Sequence, residues 1–101
     1  MPVTYTLDDG AATHREFPDT FWIPPQEQRE SLKPGDLAKL IFRIEVGGEA
    51  HVERMWVQVT EVRPEFYVGE LGNNPFCTDE IRSGQKVELH ADHVIDIDHV
   101  A

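Results

Sequence analysis

Cysteine, basic residues and long apolar runs are all scarce in this 101-residue chain. A single cysteine, Cys77, excludes an intrachain disulfide and agrees with a reducing compartment. No apolar run approaches the roughly 20 residues that a membrane-spanning helix needs, so we expect no membrane segment. Residues 1–4 lack the charged and apolar blocks of a secretory signal, and we therefore expect a cytoplasmic protein.

The basic residues number nine against nineteen acidic residues, which gives a formal net charge of −10. A field of this sign repels phosphate backbones and anionic headgroups, so it argues against nucleic acid and membrane partners. It favours a basic protein partner or a cation, although such a charge also simply keeps a small protein soluble. The length and the 40% hydrophobic content indicate a single domain, residues 1–101, with one modest core.

Residues 37–46 alternate apolar and polar side chains with the period of two that a half-buried strand requires. Ile41 is the exception, because it is apolar and falls on the polar face. Gly47-Gly48 then turns the chain into the next strand, so we expect an antiparallel pair. The apolar face comprises Ala38, Leu40, Phe42, Ile44 and Val46.

Residues 55–75 predict a second hairpin, around which we expect the fold to be organised. Alternation places Met55, Val57 and Val59 in the core and Trp56 on the opposite face. Residues 63–65 interrupt the pairing because Pro64 has no backbone donor, and the composition of a strand resumes over residues 66–71. The Gly-Asn-Asn-Pro segment that follows ends the second strand.

The N-terminal part of the chain gives weaker signals. Residues 1–20 predict a strand, a turn and a short helical or irregular arm. Residues 17–25 interleave four large apolar side chains with three prolines, so we expect an extended segment whose aromatic residues close one end of the core. An exposed aromatic segment that binds a partner is the alternative. Residues 26–32 are the best helix candidate, because prolines can start a helix and Gln, Glu and Arg propagate it.

The C-terminal part contains a short internal echo. Residues 81–89 match residues 32–40 in having an apolar residue three positions before a turn glycine and a strand after it. We interpret the echo as the same turn used twice, because a repeat architecture needs units of roughly 20 residues or more. Residues 94–98 predict a closing strand with Ile95 and Ile97 inward and Val94 outward.

These patterns together predict a mostly β (α+β) fold. We expect a small, strongly bent antiparallel sheet or barrel of five to six strands with one short N-terminal helix. Residues 1–20 would form an N-terminal arm or strand, and residues 21–98 the barrel-like core.

The chain resembles a family of small bacterial proteins classed as a domain of unknown function. The resemblance spans residues 21–97 and supports the fold prediction, but it implies no activity, cofactor or partner. Its motifs are FWIP from Phe21, GDLAKLIF from Gly35, MWVQV from Met55, YVGELGNNP from Tyr67 and GQKV from Gly84.

Histidine and carboxylate side chains are crowded into residues 90–99. Imidazole and carboxylate are competent ligands for zinc or another divalent ion, so His90, His93 and Asp96 are candidates for a metal site. Their spacing matches no recognised zinc motif, and a solvated acidic edge is the simpler interpretation. A pH response is a further alternative, because nearby carboxylates favour the charged form of histidine.

Trp56 and Tyr67 are the candidates for a binding face. Trp56 either packs beneath residues 21–23 or forms an exposed aromatic patch with Tyr67, suited to a basic or amphipathic partner. Asn73 and Asn74 are expected to satisfy backbone groups of their turn.

The same turn also offers a second surface. Together with Phe76, a rigid polar turn at Asn73 and Asn74 could frame a recognition site, since loops on stiff scaffolds often carry binding residues. Cys77, which follows, has no visible activating base, so we expect a small half-buried filler rather than a nucleophile.

The chain has no glycine-rich phosphate loop, no Ser-His-Asp signature and no paired zinc cysteines, so we predict no cofactor and no enzymatic activity. The favoured function is a non-enzymatic protein-binding or interaction module that uses the Trp56/Tyr67 face or the Asn73–Phe76 turn. An immunity-like or inhibitor role against a basic toxin is one concrete version. The alternatives are a metal-dependent or small-molecule enzyme centred on His90, His93 and Asp96, and a structural accessory domain.

Overall fold

The computed structural model describes residues 3–99 and shows a six-stranded antiparallel sheet that curls into a half-barrel. This confirms the predicted mostly β fold with a strongly bent sheet of five to six strands. Within the described residues, β5 pairs with β4 alone, so the sheet curls without closing. The elements are β1 (Thr4–Leu7), α1 (Gly10–Glu16), α2 (Gln26–Arg29), β2 (Leu37–Val46), β3 (Glu49–Val62), β4 (Tyr67–Leu71), β5 (Lys86–Leu89), a 3-10 helix (Ala91–His93) and β6 (Asp96–Asp98).

The long hairpin of β2 and β3 is the centre of the sheet, whose strand order is β1-β2-β3-β4-β5. The second edge of β2 is shared by two short strands. Residues 42–45 pair with β1, and residues 37–39 pair with β6. The two ends of the described chain therefore meet along one strand.

Alternation along β2 and β3 builds the main core, as predicted. Leu40, Phe42 and Val57 are fully buried, and Met55 and Val59 are nearly so. We call this side of the sheet the inner face and the side that carries Ile41 the outer face. Ile41 is buried as well, because a second and smaller apolar cluster covers part of the outer face. That cluster consists of Ala11, Ile23, Ile41 and Ile95, with Phe21 packed against it.

The β3–β4 pair contains a bulge. The register shifts between Val59 and Glu61, so Thr60 is the extra residue, and its hydroxyl donates to the carbonyl of Val68 at 3.1 Å. A bulge increases the local twist of a strand, which helps this sheet to curl.

The same turn does occur twice, as the echo between residues 32–40 and 81–89 predicts. Gly35 and Gly84 have φ angles of 99° and 95°, a left-handed conformation that favours glycine. Each glycine N–H donates to a carbonyl of the neighbouring strand, Val59 at 2.8 Å and Leu71 at 2.6 Å respectively. Both turns thus dock on the sheet in the same way.

The helical content is small, as predicted, but the longer helix lies in the N-terminal arm and not at residues 26–32. Residues 26–32 contain a single helical turn, α2, and a second helix, α1, lies in the predicted N-terminal arm. The side chain of Asp9 caps α1 by accepting the N–H of Ala12 at 2.9 Å, which explains where this helix begins. None of the helices within residues 3–99 is long and apolar enough to cross a membrane.

The aromatic residues of the proline-rich segment 17–25 do not close the core, contrary to the prediction. Phe17 is 51% exposed and Trp22 is 65% exposed, whereas Ile23 and Pro24 are the buried members of the segment. The segment crosses the outer face, where only Ile23 reaches the apolar cluster directly and Phe21 packs at its edge.

The predicted orientation of the closing strand is right for Ile97 but wrong for Val94 and Ile95. Val94 is fully buried in the main core, Ile95 belongs to the outer cluster, and Ile97 packs against the main core. The cause is the 3-10 helix immediately before Val94, since β6 begins only at Asp96 and strand alternation does not yet apply to residues 94 and 95.

Candidate functional site

Trp56 and Tyr67 lie on opposite faces of the sheet, which corrects the predicted Trp56/Tyr67 binding face. Tyr67 is 5% exposed and belongs to the main core. Its hydroxyl donates to the carbonyl of Arg29 at 2.8 Å and accepts the N–H of Leu32 at 3.4 Å. Tyr67 therefore joins the α2 segment to the sheet and is not available to a partner.

Trp56 is half-buried on the outer face rather than sealed beneath residues 21–23. The Nζ atom of Lys39, its neighbour across the strand pair, lies 5.6 Å from the centroid of the indole ring. This is a cation–π contact, which holds the ammonium group over the ring.

The turn after β4 is fixed by two asparagine side chains. The Oδ1 of Asn73 accepts the backbone N–H of Trp56, and the Oδ1 of Asn74 accepts that of Ser83, both at 2.9 Å. The amides thus satisfy backbone groups, as expected, but on other segments of the chain rather than within their own turn. They attach the turn to β3 on one side and to the second glycine turn on the other.

A carboxylate holds the next part of the turn. The oxygens of Glu53 accept the N–H of Phe76 at 3.0 and 3.1 Å and the N–H of Cys77 at 3.1 Å. Pro75 is buried beside them. Phe76 itself is 101% exposed, so a rigidly held backbone presents a phenyl ring entirely to solvent.

These contacts change the acidity of both groups in the turn. Burial alone raises the pKa of Glu53, but the hydrogen bonds from Phe76 and Cys77 reverse this effect and leave the pKa below its usual value. Burial, and then the charge and hydrogen bond of Glu53, raise the pKa of the Cys77 thiol. A protonated thiol is a poor nucleophile, which fits the expectation that Cys77 is a half-buried filler.

The histidine cluster is only partly assembled. The rings of His90 and His93 meet edge to face with centroids 5.3 Å apart. The Nδ1 of His93 accepts the N–H of His90 at 3.0 Å. Asp96 does not join them, because it lies on β6, where it faces Lys39 of β2 and accepts the N–H of Ile97. Within residues 3–99, no group of three or more His, Cys, Asp or Glu side chains is arranged to hold a metal ion.

The pH response predicted for the cluster runs in the opposite direction at His93. Burial lowers the pKa of His93, and the neighbouring His90 lowers it further. The carboxylates of Asp9 and Asp92 raise it, but by less. The charged form of His93 is therefore disfavoured, because desolvation outweighs the attraction of nearby carboxylates.

The outer face carries a cavity that the sequence alone did not reveal. Its volume is about 250 Å³, and both Lys39 and Arg54 line it. The Cζ atom of Arg54 lies 5.7 Å from the centroid of the Phe21 ring, and the exposed Trp22 borders the same cavity. The remaining lining residues are Thr20, Ile95 and Asp96.

A signal for part of this cavity is present in the sequence. The two-residue Gly47-Gly48 turn fixes the register of β2 and β3, which pairs Lys39 with Trp56 and Ile41 with Arg54. Lys39 and Arg54 are therefore diagonal neighbours on one face. The contribution of Trp22 has no such signal, because it depends on how residues 17–25 cross the sheet.

A family model described as "Uncharacterized protein conserved in bacteria (DUF2314)" matches residues 7–100. The match includes α1, which lies before the motifs that begin at Phe21. Comparisons with curated proteins and with solved structures give no match.

Proposed function

We propose that this chain, which belongs to the DUF2314 family of bacterial proteins, is a non-enzymatic module that binds a basic protein through Phe76. The observation that carries the proposal is the complete exposure of the Phe76 side chain on a turn whose backbone is held by Glu53. Large aromatic residues that insert into a partner's pocket dominate the energy of many protein interfaces.

The fold itself gains nothing from a phenyl ring at this position. Full burial of a Phe side chain is worth about 1.5–3 kcal/mol, and Phe76 obtains none of this in the isolated chain. Pro75 and the hydrogen bonds of Glu53 and the two asparagines fix the turn without it. The ring is therefore free to contribute its burial energy to a complex.

The rigidity of the turn favours binding. Ordering a flexible loop on association costs free energy, and a turn that is already held by side-chain hydrogen bonds avoids most of that cost. Three separate side chains, Glu53, Asn73 and Asn74, supply these bonds. Preorganisation of this kind supports a recognition role for the Asn73–Phe76 turn.

The charge of the chain supports a basic partner. The net charge is −10, and Asp79 and Glu80 are both exposed three and four residues after Phe76. Complementary charge accelerates association and disfavours wrong partners more than it adds affinity. We therefore expect a hydrophobic pocket with a basic rim on the partner, and binding that weakens as salt rises.

Site-specific photo-crosslinking in bacterial cells tests the proposal. The crosslinking amino acid p-benzoylphenylalanine replaces Phe76 in one variant and Phe17 in a matched control, because Phe17 is also an exposed phenylalanine but belongs to the N-terminal segment and not to the turn. We expect one discrete adduct with a basic protein from position 76, suppressed by excess wild-type chain. An adduct of equal intensity from position 17, or no adduct from position 76, contradicts the proposal.

The partner identified in this way is then tested for dependence on the ring. Phe76→Ala should weaken binding by at least about tenfold, as expected for a residue near the centre of an interface. The same variant should leave the unfolding midpoint unchanged, since the ring makes no buried contact in the free chain. Equal affinity of wild type and Phe76→Ala, or affinity that does not fall with salt, would overturn the assignment.

A further inference from the structure

We propose that the outer-face cavity bordered by Trp22, Lys39 and Arg54 binds a small aromatic carboxylate. This site is separate from the Phe76 turn, and it requires no second protein. Each element of the ligand class follows from a different feature of the cavity: the negative charge from the two basic residues, the aromatic ring from Trp22, and the small size from the volume.

The two basic side chains of the cavity have no carboxylate partner among the described residues, as is true of six of the nine basic residues in the chain. Arg29, Arg43 and Arg63 each lie within 4.0 Å of a carboxylate oxygen. Lys39 and Arg54 form no such ion pair within residues 3–99, although the chain contains nineteen acidic residues. Their positive charge is therefore available to an anion that enters the cavity.

Aromatic rings hold both cationic groups in place. The ammonium of Lys39 lies 5.6 Å from the Trp56 ring centroid, and the guanidinium carbon of Arg54 lies 5.7 Å from that of Phe21. Cation–π contacts position a charge while leaving its hydrogen-bond donors free. The planar guanidinium can thus still donate two parallel N–H bonds to a carboxylate.

The indole of Trp22 provides the contact for a ring. Trp22 borders the cavity and is 65% exposed, so a face of this large aromatic group remains uncovered. Offset stacking of two aromatic rings is worth about 0.5–1.5 kcal/mol beyond the area that they bury. A ligand that combines a ring with a carboxylate would use Trp22 and Arg54 together.

The charge and volume of the cavity restrict the ligand further. Lys39 and Arg54 contribute two positive charges and Asp96 contributes one negative charge, which leaves a formal charge of +1. This matches a monoanion better than a phosphate dianion. The volume of about 250 Å³ lies below the range of about 300–1,000 Å³ typical of drug-sized ligands, which indicates a single ring rather than a nucleotide.

Benzoate is the probe for the test, and the chain reports on its own site. Of its two tryptophans, Trp22 lines the cavity and Trp56 contacts Lys39, which lines it as well. Tryptophan fluorescence should therefore report occupancy of the cavity. We expect a saturable change with a dissociation constant of about 1 mM or tighter, confirmed by calorimetry. Benzamide, which has the ring without the charge, should bind at least about tenfold more weakly.

Three variants test the contribution of Arg54. Arg54→Gln should weaken benzoate binding at least about tenfold, and Arg54→Lys by less, because lysine keeps the charge but loses the paired donors. Arg63→Gln is the matched control, since Arg63 is an exposed arginine paired with Glu61 and should leave binding unchanged. Circular dichroism and thermal unfolding establish that each variant is folded.

Several results would overturn the assignment. They are equal binding of benzoate and benzamide, tighter binding of phenyl phosphate than of benzoate, and unchanged binding in folded Arg54→Gln. Phe76→Ala should bind benzoate as the wild type does, so this proposal and the proposed protein-binding role fail or succeed independently.

Discussion

The carboxylate oxygens of Glu53 lie 3.0 and 3.1 Å from the backbone nitrogen of Phe76, which is 23 positions further along the chain. A side chain in the middle of β3 thus determines the position of a turn that follows β4. A charged acceptor forms stronger hydrogen bonds than a neutral one, so the turn depends on the ionisation of Glu53.

Neutralising Glu53 should reduce stability in a pH-dependent way. Because the pKa of Glu53 is lowered in the folded state, its carboxylate stabilises the fold above the unfolded pKa, and this contribution is lost as the pH falls through the lower folded value. We expect Glu53→Gln to cost about 1 kcal/mol at pH 7 and to lose less stability than the wild type below about pH 5. Urea unfolding at pH 7, 5 and 3 measures both effects.

The control for this experiment is Glu61→Gln, which removes an exposed carboxylate that pairs with Arg63. Exposed ion pairs contribute little, so we expect a change of about 0.5 kcal/mol or less. The lowered pKa of Asp36 adds a similar loss of stability at low pH in every variant, so the comparison rests on differences between them. Parallel pH profiles for Glu53→Gln and the wild type would contradict the role of Glu53.

The Cys77 thiol should react slowly with alkylating reagents. Burial and the adjacent Glu53 carboxylate raise its pKa, and the thiolate is the reactive form. We expect alkylation by iodoacetamide at pH 7.5 to be at least about tenfold slower in the folded chain than in the urea-unfolded chain. Glu53→Gln should accelerate it. Mass spectrometry of timed samples measures the rates, and equal rates in folded and unfolded chain would show that the thiol is neither shielded nor suppressed.

The hydroxyl of Tyr67 should contribute to the stability of the fold, and Tyr67→Phe tests this. Tyr67→Phe leaves the carbonyl of Arg29 and the N–H of Leu32 without their partner, and we expect a loss of about 1–3 kcal/mol in the free energy of unfolding. Tyr5→Phe is the matched control, because the Tyr5 hydroxyl forms no hydrogen bond with another described residue. Denaturant unfolding compares the two variants, and an equal effect at both positions would contradict this role.

Gly69 is needed for close packing rather than for its backbone conformation. A Cβ atom at this position would lie 2.6 Å from the carbonyl oxygen of Gln58 and would also overlap Val57. We expect Gly69→Ala to destabilise the fold by about 1–3 kcal/mol. At Gly72 the nearest heavy atom to such a Cβ is the Trp56 carbonyl oxygen at 3.4 Å, so Gly72→Ala should cost clearly less. Thermal unfolding of the two variants tests this prediction. A larger destabilisation by Gly72→Ala than by Gly69→Ala would contradict the tight packing at Gly69.

Much of the sheet follows from local patterns. The alternation in residues 37–46 and 55–59 gives the inner face correctly, because side-chain direction in a strand depends only on position along it. The two glycine turns and the Gly47-Gly48 hairpin follow from residues whose backbone conformations few others adopt. These parts of the fold need no knowledge of distant contacts.

The sequence-based predictions fail where secondary structure or strand pairing is not indicated by neighbouring residues. A 3-10 helix before Val94 shifts the following residues, so the inward and outward positions of residues 94 and 95 are not those of a strand. Tyr67 continues the inner face of β4 and is buried, whereas Trp56 belongs to the outer face of β3. Their separation depends on the register across the hairpin, which pairs Leu71 with Val57 and so places Tyr67 on the inner face, and composition does not reveal this register.

By itself the sequence determined the strands, the turns and the inner face, because each depends on preferences of residues next to one another in the chain. The tertiary structure alone decided that Glu53 holds the Phe76 turn and that Trp22 lines the same cavity as Arg54 and Lys39. Both arrangements join residues far apart in sequence, and their geometry depends on how the curled sheet brings separate segments together.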